Sequence, residues 1–581
     1  MDNLNLLANL NRAVPKSFYD TDIGASAFSS VSLVESAYEQ IRQEMEVLEV
    51  AIRFWKQRHN TLSIIARLPP EVLSTIFRCL AIAFCLRPGH SSIGWIKVTH
   101  VCTHWRRVAL ECPDLWTTIP FSLPRWAKEM LIRSKMAPLT IVASLYQSKR
   151  LHTELVHFAM LEMFRIQKLS LTVLQDSGNK NLLTGLARPA PLLESLSISC
   201  ATPSVNILPK GIFSGEVPRL REVTLEKCIL GWDEPFLCTL TTLKLVSIPV
   251  SARPSMDQLT SALSCMPDLR TLVLCNVLPL QIPLDPTVST TRSVPLPCLT
   301  HLCIESDAPV TSFLMSHLIH PPNISIILTC TFRSMGLNPN YAIHDLKHVR
   351  SFCDILSKSQ PVRSLAARYH AYPGSVRFSA YDVPGTYLRP PATAKVDLTM
   401  ILGPPHSEVA LAQLWADVWA SVPVDDLESL HVIHTGSNTT TVHEWSNIFT
   451  FVAKAKLKNL RVCSESGIHC LEAFSPLETG RMQEQTPLKL PSLRNLAVER
   501  WDFGEYSGHR TCTELLKRCL KTRRKRRAAI KMLSLTDCSH ITSDDVLMLE
   551  TYVNVTWDGL ENFTEDEDDE DEESDEYDEY Y

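Results

Sequence analysis

The first stretch with a clear period has apolar residues at Val34, Tyr38, Ile41, Met45, Leu48, Ile52 and Trp55, in alternating steps of four and three. This heptad seam predicts a helix over 31–62 with one apolar stripe set among Glu, Gln and Arg. About three repeats are marginal for a free-standing helix pair, which favours the stripe folding back on the rest of the chain over self-pairing. A second run follows in LPPEVLSTIF. There Pro70 suits a first helical turn, Glu71 complements the positive helix end, and Val72, Leu73, Ile76, Phe77 and Leu80 form a stripe at helical spacing. After RPGHSS, a loop by composition, Ile96, Val98, Val101, Cys102, Trp105, Val108 and Ala109 predict another helix. It ends before Pro113, with Leu115 and Trp116 behind it. Neither short helix closes a core alone, so each needs the other and a partner.

Beyond residue 160 the pattern changes to an apolar residue, two others, an apolar residue, one other, an apolar residue. It stands at Ile166, Leu169 and Leu171; at Leu193, Leu196 and Ile198; at Leu220, Val223 and Leu225; and at Leu240, Leu243 and Leu245. It continues at Leu269, Leu272 and Leu274, and at Leu299, Leu302 and Ile304. After a poorly defined middle, over about 321–423, it returns at Leu427, Leu430 and Val432; at Leu493, Leu496 and Val498; and at Ile530, Leu533 and Leu535. The first six copies start 27, 27, 20, 29 and 30 residues apart. A fixed motif on a loose period predicts stacked supersecondary units. The last two positions of each copy share one face of a short strand, so Leu243 and Leu245 point to a core while Lys244 points away. Stacked in parallel, such strands leave Lys244, Thr224 and Ser197 on an exposed sheet face. The return path is helical where the sequence permits, as in SMDQLTSALSCM (255–266).

Length and composition narrow the class. A chain of 581 residues exceeds one ordinary domain, and 45% apolar with 21% charged residues are the proportions of a globular protein. The N-terminus has no basic start or sustained apolar stretch, so no secretory signal is expected, and the greasiest segment, 72–86, is interrupted by Arg78 and too short for a bilayer. Eighteen scattered cysteines without a CxxC pair point to buried thiols in a reducing compartment, cytoplasmic or nuclear. The net charge of −6 hides an asymmetry, because the tail from Glu565 holds thirteen carboxylates, whose removal leaves the rest at +7. Such a tail is expected to be disordered. Just upstream, KRCLKTRRKRR (517–527) packs eight bases into eleven residues. A solvated helix face, a nuclear-import signal, a polyanion contact and a partner for the tail are its open readings.

Chemistry finds little footing. His100, Cys102 and His104 offer metal-ligand types, but on one helix residues two apart point about 200° apart, so Cys102 faces away from both histidines. The sequence has no GxSxG elbow, Walker loop or GxGxxG, and HEWSN at His443 lacks the second His of HExxH. The basic cluster lacks the interleaved aromatics that base stacking uses, which disfavours nucleic acid. No catalytic residue, cofactor or metal is expected, and the chain reads as a non-enzyme.

The repeats resemble leucine-rich repeats. The last copy, LSLTDCSHITSDDVLML, is similar to the cysteine-containing subtype, which would bury Cys538 at the strand end and start the return path at Ile541. The segment from Leu68 to Trp116 resembles an F-box through Leu68, Pro69, Glu71, Val72, Leu73, Ile76 and Phe77, then Val101, Cys102, Trp105, Arg106, Leu115 and Trp116. The stretch from Ala81 to Trp95 is longer than a minimal F-box loop. With the preceding amphipathic helix, the arrangement is similar to a family of fungal F-box domain-containing proteins. The resemblance implies an α+β multidomain chain. Residues 1–30 would be flexible, 31–62 an amphipathic heptad helix, 64–120 a small helical F-box and 121–160 a linking helical segment. Residues 161–556 would form an irregular leucine-rich-repeat-like α/β solenoid that binds substrate, and 561–581 a disordered acidic tail. It further implies a substrate receptor that binds a Skp-family adaptor through Leu68, Pro69, Pro70, Glu71, Ile76, Phe77, Val101, Cys102 and Trp105. The adaptor would link it to a cullin-RING ubiquitin ligase, with a protein substrate held by the solenoid. A non-ligase scaffold, nuclear and polyanion-binding through 517–527, is the alternative.

Overall fold

The structure is a computed structural model that describes residues 29–85, 93–145, 150–173, 185–200, 206–208, 211–229, 231–280 and 293–332. It further describes 348, 351–352, 361–370, 375–386, 388–401, 419, 422, 424–435, 441–464, 467–474, 488–507 and 509–561. The expectations for residues 1–28, for the acidic tail, and for much of 333–360 and 402–423 lie outside the described residues. The chain divides into two compact units, Met1–Ala143 with Glu154–Ala159, and Ser144–Thr153 with Met160–Tyr581.

The first unit begins with α1 (Val31–Thr61), where the heptad pattern predicts it. Most of its seam is exposed, with Val34 and Leu48 half-buried. Tyr38 and Trp55 are 70% and 59% exposed, Ile41, Met45 and Ile52 are also exposed, and Ala37 is the helix's one buried residue. Helix α2 (Pro70–Cys85), a 3-10 segment (Gly94–His100), α3 (Thr103–Glu111), strand β1 (Thr118–Pro120) and α4 (Pro124–Arg133) follow, then β2 (Leu139–Leu145). Strand β1 pairs in parallel with β2 from Thr118↔Thr140 to Pro120↔Val142. The segment 121–160 is therefore not only helical: besides α4 and α5 (Arg150–Met160) it carries β2, whose alternating Leu139, Ile141 and Ala143 are buried.

The second unit holds fifteen strands in one continuous sheet among the described residues. They are β3 (Ile166–Val173), β4 (Ser195–Cys200), β5 (Glu222–Glu226), β6 (Thr242–Val246), β7 (Thr271–Cys275), β8 (His301–Asp307) and β9 (Ser325–Thr331). Next come β10 (Ser364–His370), β11 (Ser375–Tyr381), β12 (Val396–Ile401), β13 (Ser429–Thr435), β14 (Asn459–Cys463), β15 (Asn495–Glu499), β16 (Met532–Thr536) and β17 (Asn554–Trp557). From β3 to β9 each strand pairs in parallel with the next, and the middle position of every predicted triplet falls on one rung: Leu169, Leu196, Val223, Leu243, Leu272 and Leu302. The same rung resumes in the C-terminal half as Leu365, Leu430, Leu460, Leu496 and Leu533. All of these are buried. One copy was not predicted: Leu457, Leu460 and Val462, which build β14.

The middle departs from the period for a topological reason. Strand β12, not β10, sits beside β9, and β11 runs antiparallel between β12 and β10. The chain thus lays three strands in reverse order, and β13 resumes parallel pairing beside β10. The rung still crosses this insert through Val396, Ala380 and Leu365. On the opposite face, where Lys244 is exposed, the insert buries Ser379, Asp397 and His431. Arg377 holds Asp397 through Nε at 2.8 and 3.0 Å. Gly385 lies over His431 and Ser364, close enough that a Cβ there would stand 2.8 Å from the serine oxygen and 3.0 Å from the imidazole.

A further regularity joins the repeats. The residue directly after β5, β6, β7, β15 and β16 (Lys227, Ser247, Asn276, Arg500 and Asp537) has positive φ. In the first four its N–H donates to a carbonyl of the neighbouring strand, that of Val246, Cys275, Glu305 and Thr536 in turn, at 2.7–3.1 Å. The left-handed turn costs about 1 kcal/mol for a residue with a Cβ. In return it satisfies a backbone donor at the end of the ladder. Several return paths are short helices, of which α6 (Met256–Ser264) carries a capping box of Ser255 and Gln258 within the segment predicted to be helical. Helices α7 (Ala308–His317), α8 (Val442–Phe451), α9 (Ile468–Phe474), α10 (Cys512–Lys525) and α11 (Ser543–Glu550) serve later copies. Cys538 and Ile541 are fully buried, and Cys538 Sγ donates to the Thr536 carbonyl at 3.5 Å. All cysteines among the described residues are free, and burial pushes Cys330 and Cys519 up to about 12, which leaves them as inert packing groups.

The ladder predicts opposite outcomes at adjacent residues. Leu243→Ala removes a rung side chain and is expected to cost about 2–5 kcal/mol in urea or thermal unfolding. Lys244→Ala on the other face should stay within about 0.5 kcal/mol of the parent.

His431 supplies a pH test. Burial, then the nearby Arg461 and Arg368, lower its pKa to about 3. Neither ring nitrogen has a hydrogen-bond partner among the described residues. The folded state thus holds it neutral, and the unfolded chain takes up its proton near the usual 6.5. Its contribution is complete above about pH 6.5 and is lost as pH falls towards 3. His431→Leu should therefore show a shallower fall in unfolding midpoint between pH 7 and 5 than the parent chain, although His434, lowered to about 4 by burial, keeps part of the slope.

Candidate adaptor-docking surface

Helix α2 is launched by extended backbone at Leu68, which follows the 3-10 turn Ile64–Arg67. The Pro69 carbonyl accepts the N–H groups of both Val72 and Leu73 at 3.1 Å, and Pro70 occupies a position whose donor the helix does not use. Glu71 lies in the first turn, where its charge meets the positive end of the helix dipole. The predicted single stripe splits into two. Leu73 and Phe77 point inwards and are 1% exposed, whereas Val72, Ile76 and Leu80, one turn apart, are 43%, 47% and 37% exposed.

The second half of the site is not one continuous helix. The 3-10 segment buries Trp95, Ile96, Val98 and Thr99, and the chain then extends at Cys102 (φ −158°, ψ 168°) before α3 begins. Cys102 is the N-cap: its sulfur accepts the Trp105 N–H at 3.4 Å. The helical argument that turned Cys102 away from His100 and His104 therefore has no helix to act on. The three residues sit at the end of one element, in a break, and in the first turn of another. Trp105 is half-buried and its ring meets Phe77 at 5.1 Å, which ties α3 to α2. Behind it Trp95 and Trp116 pack edge-on at 5.0 Å, and the Trp116 Nε1–H donates to the Ala109 carbonyl at 2.9 Å. Arg133 covers the Trp116 ring at 4.4 Å, a cation–π contact. Arg78 on α2 meets Asp114 at 3.6 Å.

The insertion of Ala81–Trp95 extends α2 to Cys85 and then returns to Gly94; its residues 86–92 lie outside the described residues. Glycine is required at the return, because a Cβ on Gly94 would stand 2.5 Å from the Phe84 ring.

The nine predicted adaptor-facing residues thus divide into three groups. Leu68, Pro69, Pro70, Glu71 and Ile76 lie along the start and outer side of α2, partly or fully exposed. Val101, Cys102 and Trp105 line a cleft of about 650 Å³ with Ile65, Ala66 and the last turn of α1. Phe77 belongs to the core and presents nothing outwards. Val72 and Leu80 were absent from the predicted set; their spacing of four from Ile76 was the available signal.

The other sequence candidates take structural places. Glu444 in HEWSN forms a capping box with Thr441 at the start of α8, accepting the Thr441 N–H at 2.7 Å. In the basic cluster on α10, Arg523 is buried, donates to the Lys489 and Leu490 carbonyls at 2.9 and 2.6 Å, and lies 5.0 Å over the Phe474 ring. Burial lowers its pKa. Arg524 donates to the Thr551 carbonyl at 3.0 Å.

The F-box-like family model matches residues 65–122. No curated protein matches the chain. Among solved structures, the crystal structure of the Rad7 and Elc1 complex in yeast matches at 12% identity over 81% of this chain and 94% of that chain, and its TM-score of 0.19 is too low to carry an argument. This chain contains an F-box-like domain at residues 65–122.

Proposed function

We propose that the protein is a non-enzymatic substrate receptor of the fungal F-box type. Its F-box-like domain docks a Skp-family adaptor, the adaptor links it to a cullin-RING ubiquitin ligase in the cytoplasm or nucleus, and a leucine-rich-repeat-like solenoid holds a protein substrate. The observation that carries the reading is the outer face of α2, where Val72, Ile76 and Leu80 are exposed within the stretch the family model matches. Aliphatic side chains one turn apart on a short helix suit helix-in-groove recognition, and each would contribute about 1.5–3 kcal/mol when buried by a partner. The cleft lined by Val101, Cys102 and Trp105 offers a second contact beside it. The sheet supports the receptor role through its exposed face, where Lys244 and the half-buried Ser197 and Thr224 stand in register without closing a core. Its mechanism is proximity: one body holds the target while another holds the transfer machinery, raising effective concentration without bond chemistry.

The scaffold reading, which rests on the solenoid and the basic cluster, loses two of the cluster's eight bases, Arg523 and Arg524, to backbone carbonyls.

Packing and docking separate by mutation. Val72→Asp with Ile76→Lys should weaken binding of a purified Skp-family adaptor by about 100-fold or more while leaving the unfolding midpoint near the parent value, since both side chains are already exposed. Phe77→Ala should instead cost about 3–5 kcal/mol of stability. Undiminished adaptor affinity in the folded double variant, measured by calorimetry, would sink the proposal.

A further inference from the structure

We infer that α1 is the dimerisation element of this protein and pairs with α1 of a second copy as an antiparallel two-stranded coiled coil. The inference stands apart from the adaptor reading. The 31-residue helix is about 46 Å long. The apolar seam reaches one position before the heptads that first define it, to the exposed Val31, and the position after Trp55 is His59. Val34 and Leu48 are half-buried, and the remaining apolar seam positions stand in water. An apolar strip of this length calls for an occupant.

Charge selects the occupant and its direction. On the flank directly after the Val34, Ile41, Leu48 and Trp55 positions stand Glu35, Arg42, Glu49 and Lys56, in strictly alternating sign. An antiparallel pair centred between Met45 and Leu48 stacks Tyr38 on Trp55, Ile41 on Ile52 and Met45 on Leu48 of the second copy. In the same register Glu35 meets Lys56 and Arg42 meets Glu49. Two-fold symmetry repeats both contacts, giving four opposite-sign pairs. The other flank carries Ala37, Glu44, Ala51 and Arg58, whose antiparallel partners, Ala37 with Arg58 and Glu44 with Ala51, bring no like charges together. A parallel pair fares worse. It sets Glu44 against Glu49 twice, turns Arg42 to Ala37 and Lys56 to Ala51, and gains no opposite-sign contact. Within one helix, Arg42 meets Glu39 at 3.1 Å and Glu49 meets Arg53 at 2.7 Å. Both pairs are exposed, so exchanging them for contacts between helices costs little.

The test uses the full chain and sedimentation equilibrium. The expected species is twice 65.4 kDa. Ile41→Lys, in the central layers, should leave a monomer, whereas Val47→Lys, exposed but off the seam, should leave the dimer intact. Arg42→Glu should raise the dissociation constant about tenfold or more by setting an acid against Glu49 of the second copy. Arg42→Glu with Glu49→Arg should restore it. That rescue cannot arise inside one helix, because the swap puts an acid beside Glu39 and a base beside Arg53, and helicity by circular dichroism checks that the variants still fold. A parent chain that stays monomeric, with the seam held by its own first 28 residues or by another protein, would overturn the inference. So would a dimer that survives Ile41→Lys, or a charge swap that fails to rescue.

Discussion

The second unit depends on one geometric condition. Each strand must present aliphatic side chains at the same two heights as its neighbour, so that parallel ladders place them one above another. Leu169 through Leu302 meet this condition strand by strand, and Leu365 through Leu533 meet it again. A shift of one residue would move the whole set to the other face, so the register is held by burial as much as by hydrogen bonds. The spacing of two residues before the rung is also used: Leu193, Leu220, Leu240, Leu269 and Leu299 are buried at the entry to their strands. What lies between copies is free to vary in length, because only the strand and its register must repeat.

That freedom explains the reversed insert. After β9 the sheet needs a strand whose side chains continue the rung, but it has no requirement on which part of the chain supplies it. Val396 and Leu398 continue it from β12, and the antiparallel β11 meets them with Ala380 and Phe378. The consequence is chemical. The segment at Gly385 covers the second face here, so polar groups that would be solvated elsewhere are buried or half-buried and must find partners. Ser429, Asn459 and Asn495 do so as a row, with Asn495 donating to Asn459 at 2.7 Å and Asn459 to Ser429 at 2.8 Å. His431 finds none among the described residues, and this places its proton affinity far below that of an exposed imidazole.

The regular strands were legible in the sequence because their signal is local: a leucine, two residues, a leucine, one residue, a leucine. The insert was not, because Val362, Leu365 and Ala367 keep the spacing while weakening the side chains, and strand order is a property of tertiary pairing that no local period carries. The left-handed turn after five strands was hidden for a different reason. Lys, Ser, Asn, Arg and Asp occupy it, so no shared residue marks a conformation that only the backbone repeats. In the F-box-like domain the sequence located the two halves but merged what the fold separates. The 3-10 segment and α3 read as one helix because Val98, Val101, Cys102 and Trp105 keep a helical spacing across the break at Cys102. The α2 stripe, likewise, contains two faces, since five apolar residues at these positions span more of the helix than one packing partner covers.

The division of α2 has a consequence for how such a small unit works. A helix that buried all five apolar residues would be a more stable element with nothing to offer. Instead Leu73 and Phe77, with Trp105, Trp95 and Trp116, concentrate the packing on one side, and the aromatic contacts and the Trp116 hydrogen bond fix the backbone without help from the outer face. Val72, Ile76 and Leu80 thereby stand on backbone that the core already fixes, which on the proposed reading would lower the ordering cost of association. On α1 the seam likewise stays mostly open, and the exposed intrahelical ion pairs beside it contribute little to its stability. On the readings proposed above, each surface keeps its apolar side chains out of the core for a partner to bury, and that is what would separate a recognition face from a packing fault.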